Sequence, residues 1–327
     1  MSTSSEAPVS AQSVSAQSVE ASMRSELAQG DLVIATVRPI LRHLLANDDR
    51  TLFSDAIVAK VRGMMLDLAR QVLRQFAEVE GAGGIEAFET EMQDLVAALL
   101  GNADLVGHAH ALTIETQLIE RLSERSGIDG VLSPLWQETV ASRDEATATA
   151  AMQTLSAQAR FVQQQQRMAI PLEELPQELF EFVLDSFSRT VETDDAAKQC
   201  AISALRDHYD PDARRIARLA MLVSAMGKDA RRALAIDHAG VSLFVTALSM
   251  ASGQSRETVI LSMGENQCAR LALTMRAAGL NQSAVEDQFL YLHPDLLLPD
   301  GFDALQSAQA AAMLDQSELS TLMAQVG

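Results

Sequence analysis

The sequence is short of lysine, cysteine and aromatic residues. Three lysines stand against 22 arginines, there are two cysteines and one tryptophan in 327 residues, and aromatics make up 4%. Cys200 and Cys268 lie far apart on predicted helices. That argues against a disulfide framework and a cysteine-rich metal site, and suits small core residues in a reducing compartment. Few aromatics beside abundant Ala, Leu, Met, Gln and Glu argue against strands and for helices. Arginine in place of lysine favours fixed, forked pairing with carboxylates. No apolar run is long enough to cross a bilayer: the longest uncharged stretch, 239–255, has 17 residues, five of them Ser or Thr. The N-terminus shows no basic region followed by an apolar stretch, so no secretory signal is expected. Positive charge is scarce too. A formal net charge of −19 repels phosphate backbones and anionic membranes unless a local basic patch intervenes. The expectation is an all-α, cytoplasmic protein that binds neither membrane nor nucleic acid.

What is present is a phrase repeated every 17 residues: Asp195-Ala196-Ala197-Lys198, Asp212-Ala213-Arg214-Arg215 and Asp229-Ala230-Arg231-Arg232. Seven residues into the copies stand Ile202, Leu219 and Ile236; ten residues in stand Leu205, Leu222 and Ala239. One helix plus one turn fits that interval, so the copies predict successive stacked helices.

In chain order, residues 1–29 are serine-rich with little core material and are expected to be a disordered tail. A helix over 31–45 would be capped by Asp31 and bent at Pro39. Another over 54–78 aligns Ile57, Val61, Met64, Leu68 and Val72 on one face. Helices follow at 85–100 and 103–125. Ser142 and Glu145 read as a capping box for a helix whose stripe Ala148, Met152, Leu155, Ala159, Val162 is core-facing, a dimer seam being the alternative. Two prolines, Pro171 and Pro176, place a boundary between a bundle at 30–170 and a second domain at 177–327. Asp210-Pro211-Asp212 reads as a helix start, Ser255 as a cap, and Ser283 with Glu286 as a second capping box. The loop from His293 to Gly301 carries Leu296, Leu297 and Leu298, expected to tuck against the body. A last helix is expected over 303–325.

Two resemblances follow from these residues. The copies at Asp212 and Asp229 resemble the Asp and Arg positions of HEAT-type helical repeats. That implies an array in which Asp195, Asp212 and Asp229 are ladder acids and Arg215 and Arg232 ladder bases; Lys198 departs from the pattern. The run 148–176, ending in QARFVQQQQRMAIPLEELP, together with Val241–Leu280, resembles the uncharacterised alphaproteobacterial helical family DUF2336. This implies an all-helical fold and supplies no activity or site residues. The expected architecture is an N-terminal helical bundle followed by a HEAT-like array of short stacked helices.

Residues 206–232 hold seven Arg or Lys against four Asp. Arg206, Arg214, Arg215, Arg218, Lys228, Arg231 and Arg232 are therefore the candidate interaction surface, for an acidic partner protein or for the chain's own acidic segment 171–200. With no catalytic motif, no metal set and no expected cofactor, the function expected is a non-catalytic scaffold or regulatory module. The alternatives are a helical enzyme or metal-binding protein using Asp207/His208 or Asp237/His238, and a DNA-binding regulator using 255–278, where Arg270 and Arg276 would be the positive groups of a second helix. His108 and His110, two apart on a helix, point about 200° apart. They do not make a joint metal site; one is expected to be packed and the other solvated.

Overall fold

A computed structural model describes residues 18–35, 55–81, 84–192 and 195–317, and among these residues all regular structure is helical. The helices are α1 (18–35), α2 (Asp55–Glu80), α3 (Glu89–Leu100), α4 (Ala103–Ser126), α5 (Pro134–Val140), α6 (Glu145–Gln166) and α7 (Gln177–Thr190). They continue with α8 (Asp195–His208), α9 (Arg215–Ala225), α10 (Ile236–Ser252), α11 (Arg256–Ser262), α12 (Cys268–Ala277), α13 (Gln282–Leu292) and α14 (Ser307–Asp315). The expected bend at Pro39 lies outside the described residues. The helix expected over 303–325 is shorter: it begins at Ser307 and ends at Asp315, and residues 318–325 lie outside the described residues.

α4 is the central post. Asn102 caps it by accepting from Leu105 N–H at 2.8 Å, and Gly127 ends it in the left-handed region at φ 66°. Every residue from Leu105 to Thr113 is buried, and burial continues through Glu115, Leu118, Ile119 and Leu122. A helix buried on all sides carries few charges, and across 105–119 Glu115 is the only Asp, Glu, Lys or Arg. α4 packs against α2, α3, α6, α10, α11 and α13.

α2 follows its sequence period. Val61, Met64, Leu68 and Val72 are fully buried, and the helix meets α3, α4, α7 and α8. The segment between α6 and α7 does not behave as a linker. Ile170, Leu172 and Leu175 are buried, and Gln71 of α2 pairs with its backbone, donating to Ile170 O at 2.8 Å and accepting from Leu172 N–H at 2.9 Å. The two prolines break the helix without separating two bodies, and one continuous apolar core runs through both parts.

Four further expectations are corrected. Residues 18–29 belong to α1 rather than to a disordered tail; residues 1–17 lie outside the described residues. α1 buries Val19, Met23, Leu27 and Ile34, a helical spacing. Asp31 is not a cap but is buried within α1, paired with the buried Arg270 of α12. On α6 the buried positions are Ala151, Thr154, Ala157, Gln158, Phe161 and Gln165. The more apolar stripe one step around is only partly covered, and Met152 is 50% exposed. The 17-residue copies adopt unlike structures: the first opens α8, the second forms the turn before α9, and the third lies in the 3-10 helix Gly227–Leu234. Their apolar followers Ile202, Leu219 and Ile236 are nevertheless all buried.

Caps differ in detail. Ser255 caps α11 as expected, accepting from Thr258 N–H. For α6 the cap is Asp144, and for α13 it is Asn281, each two residues from the serine first indicated. Helix α9 starts at Arg215, and its backbone N–H is met by the Glu174 carboxylate at 2.7 Å, an N-terminal anion supplied from a distant segment.

Candidate interaction surface

The seven basic candidates have separate fates. Arg215 is not on the surface: it is 2% exposed and forms a fork with Glu115, Nη1 to Oε1 at 2.9 Å and Nη2 to Oε2 at 3.0 Å. Its Nη1 also donates to Gln158 Oε1 at 3.0 Å, and its guanidinium carbon lies 3.6 Å from the centre of the Phe161 ring. Arg256 forks onto the same carboxylate at 2.9 and 2.7 Å, and Ser242 Oγ donates to it at 3.1 Å. Both arginines are the first residues of short helices, α9 and α11, aimed at the middle of α4. Burial alone would raise the Glu115 carboxyl pKa; the two guanidiniums reverse that and hold it far below the usual carboxylate range. Sequence reasoning missed Glu115, although a charge in register with Leu112, Ile119 and Leu122 on an otherwise apolar helix was the signal. The adjoining cavity, about 20 Å³ beside His108, Gln165 and Arg215, holds no more than a water-sized molecule. The cluster is therefore an internal fastening rather than a substrate site.

The other arginines are mostly engaged by the chain itself. Arg206 forks onto Glu181 of the acidic segment at 3.2 and 2.5 Å. Arg214 donates to Pro211 O, and Arg218 to Ala213 O and Gln153. Arg232 reaches Glu138 at 2.5 Å and lies 3.0 Å from His238 Nε2. The expected ladder bases Arg215 and Arg232 thus turn to Glu115 and Glu138, not to Asp212 or Asp229.

Lys228 and Arg231 differ. Both are exposed on the 3-10 helix, and among the described residues neither is in an ion pair or a side-chain hydrogen bond. Between them and the body lies an open groove of about 340 Å³ whose apolar lining includes Val223, Leu234, Ala247, Met250 and Ala278. Met250 is 46% exposed. Gly227, at φ 56°, ends α9 and turns the chain so that Ala230 and Leu234 face inward while the two cations stay at the rim.

The remaining candidates are placed as follows. His208 donates from Nδ1 to Ala204 O at 2.7 Å at the exposed end of α8. His238 meets Arg232 and Glu138 rather than Asp237. His108 and His110 are both buried, so neither is solvated; His108 Nδ1 lies 2.8 Å from Glu257. Among the described residues no three His, Cys, Asp or Glu converge as a metal set. In α12, Arg270 is buried against Asp31, and Arg276 donates to Leu305 O and Leu280 O. Both are occupied inside the protein. Cys200 is exposed rather than a core residue, and Cys268 is half-buried. No family model, curated protein or solved structure matches the chain.

Proposed function

We propose that the protein is a non-catalytic helical scaffold or regulatory module that holds another protein in the groove between α9, α10 and α12. The observation that carries this reading is the pairing of an apolar floor with two exposed cations, Lys228 and Arg231, that meet no carboxylate among the described residues. Such a groove suits a segment with one or two apolar side chains beside acidic ones: the apolar contacts supply affinity, and the charges supply register and encounter rate. Inside a chain of net charge −19, this strip is where an acidic partner is attracted rather than repelled. The HEAT-like array remains a proposal supported by the run of short helices after residue 177 and by the shared burial of Ile202, Leu219 and Ile236, without the Asp–Arg ladder. Kinship with DUF2336 likewise rests on the segments quoted above, and the binding reading does not depend on it.

The test is affinity capture from the native host with wild type, Lys228→Glu/Arg231→Glu, and Arg206→Glu as a control outside the groove. A partner kept by the control and lost by the double variant supports the groove. A partner retained equally by all three sinks it.

A further inference from the structure

The loop between α13 and α14 holds leucine out in solvent. His293 N–H donates to Phe289 O at 2.7 Å, Leu296 N–H to His293 O at 3.0 Å, and Phe302 N–H to Pro299 O at 3.1 Å, so both ends of the loop are tied. Phe302 anchors the exit in the core, and Pro294 and Pro299 restrict the backbone. Between the ties the expected tucking holds only for Leu298, which packs against the core; Leu296 is 41% exposed and Leu297 92%. Asp295 and Asp300, both exposed, flank them. Single exposed leucines are ordinary. A leucine held at the tip of a proline-stiffened turn between two carboxylates has the chemistry that the Lys228/Arg231 groove would take.

We infer that this loop is the ligand of the groove on a second copy of the chain, giving head-to-tail self-association. The inference rests on the groove reading above and names its occupant. The loop offers an apolar centre with acidic flanks; the groove offers an apolar floor with cationic flanks. Two copies of so acidic a chain repel over most of their surfaces, and the encounter that attracts is the acidic loop against the basic strip. The tied loop loses little freedom on docking, which lowers the ordering cost of association. No residue of 293–301 lines the groove, so among the described residues one copy presents both an uncovered loop and an uncovered groove. The contact is therefore heterologous, closing into a ring or extending as a filament.

Sedimentation velocity from micromolar to submillimolar protein tests this. Wild type should associate reversibly, more weakly as salt rises. Leu297→Asp and Lys228→Glu/Arg231→Glu should each weaken association at least about tenfold. Mixed together, they should form a heterodimer and stop there, because the intact groove of the first takes the intact loop of the second. Leu297 is too exposed, and the two cations too free of internal bonds, for these variants to fail through misfolding; matching circular dichroism checks that. A wild type monomeric throughout, or a mixture that stays monomeric, overturns the proposal. If wild type is monomeric while the double variant still loses the captured partner, self-association alone fails. If the double variant loses neither, the groove reading falls with it.

Discussion

Replacing Glu115 by glutamine keeps the side chain's size and removes its charge. The carboxylate is fully buried and accepts from Arg215, Arg256 and Ser242. Glu115→Gln leaves two guanidiniums, with side-chain exposures of 3% and 11%, without their counter-charge. Removing one member of a buried ionic pair costs about 3–5 kcal/mol. With two cations orphaned together, the upper part of that range is expected, about 4 kcal/mol or roughly a thousandfold in the folding equilibrium. Urea denaturation followed by far-ultraviolet circular dichroism measures it. The companion variant Glu115→Leu/Arg215→Met/Arg256→Met replaces the whole cluster with apolar groups and should lie within about 2 kcal/mol of wild type, because it strands no charge. A loss below about 1 kcal/mol in Glu115→Gln, or an equal loss in the triple variant, would refute the reasoning. The pH dependence has a definite sign. The folded pKa lies below the ordinary 4.5, so the carboxylate's contribution is complete above that value and is lost as pH falls toward the folded pKa. The gap between wild type and Glu115→Gln should stay constant from neutral pH down to about 5 and narrow below about 4.5.

Asp31→Ala strands Arg270 beneath α1. Amide exchange within 18–35 should rise about a hundredfold while α4 is unchanged; unaltered exchange would mean that Val19, Met23, Leu27 and Ile34 hold α1 by themselves. Gly240 interrupts α10 at φ 72°, and an added Cβ would stand 3.1 Å from Ser133 Cβ. Gly240→Ala should cost about 1–3 kcal/mol, read as a thermal midpoint lowered by a few degrees, and an unchanged midpoint would contradict the strained backbone. Arg206→Ala removes a solvent-screened pair with Glu181 and should change stability by less than about 1 kcal/mol; a larger loss in urea would show that the pair is not screened.

Helical content and the core face of α2 were legible because both depend on spacing within one segment. Val61, Met64, Leu68 and Val72 recur at the helical period, and the period alone says which side is apolar. On α6 the same logic chose the stripe one step away from the buried one. Thr154, Gln158 and Gln165 are polar in sequence, yet they are buried where Gln158 meets Arg215 and Gly130 O and Gln165 meets Ala169 O. The serine caps failed at α6 and α13 for a related reason. Asp144 and Asn281 are equally good acceptors nearby, and the start of the helix decides between them. Of the groove, Lys228 and Arg231 were legible as part of a basic run. Its floor was not, since Met250 and Ala278 come from later helices. Of the loop leucines only Leu298 meets the core; backbone tied at both ends holds Leu297 away.

Composition and periodicity by themselves determined that the chain is helical, that a helix breaks at Pro171–Pro176 and another starts after Ser255, and that positive charge gathers at 206–232. They could not decide between Arg214 and Arg215. The two are adjacent, chemically identical and equally favoured at the surface by any local rule. One step around α9 separates a side chain held at the turn from one sealed in the core. Only the tertiary structure brings Glu115, 100 residues away in sequence, against Arg215, and a guanidinium is buried stably only where such a counter-charge meets it.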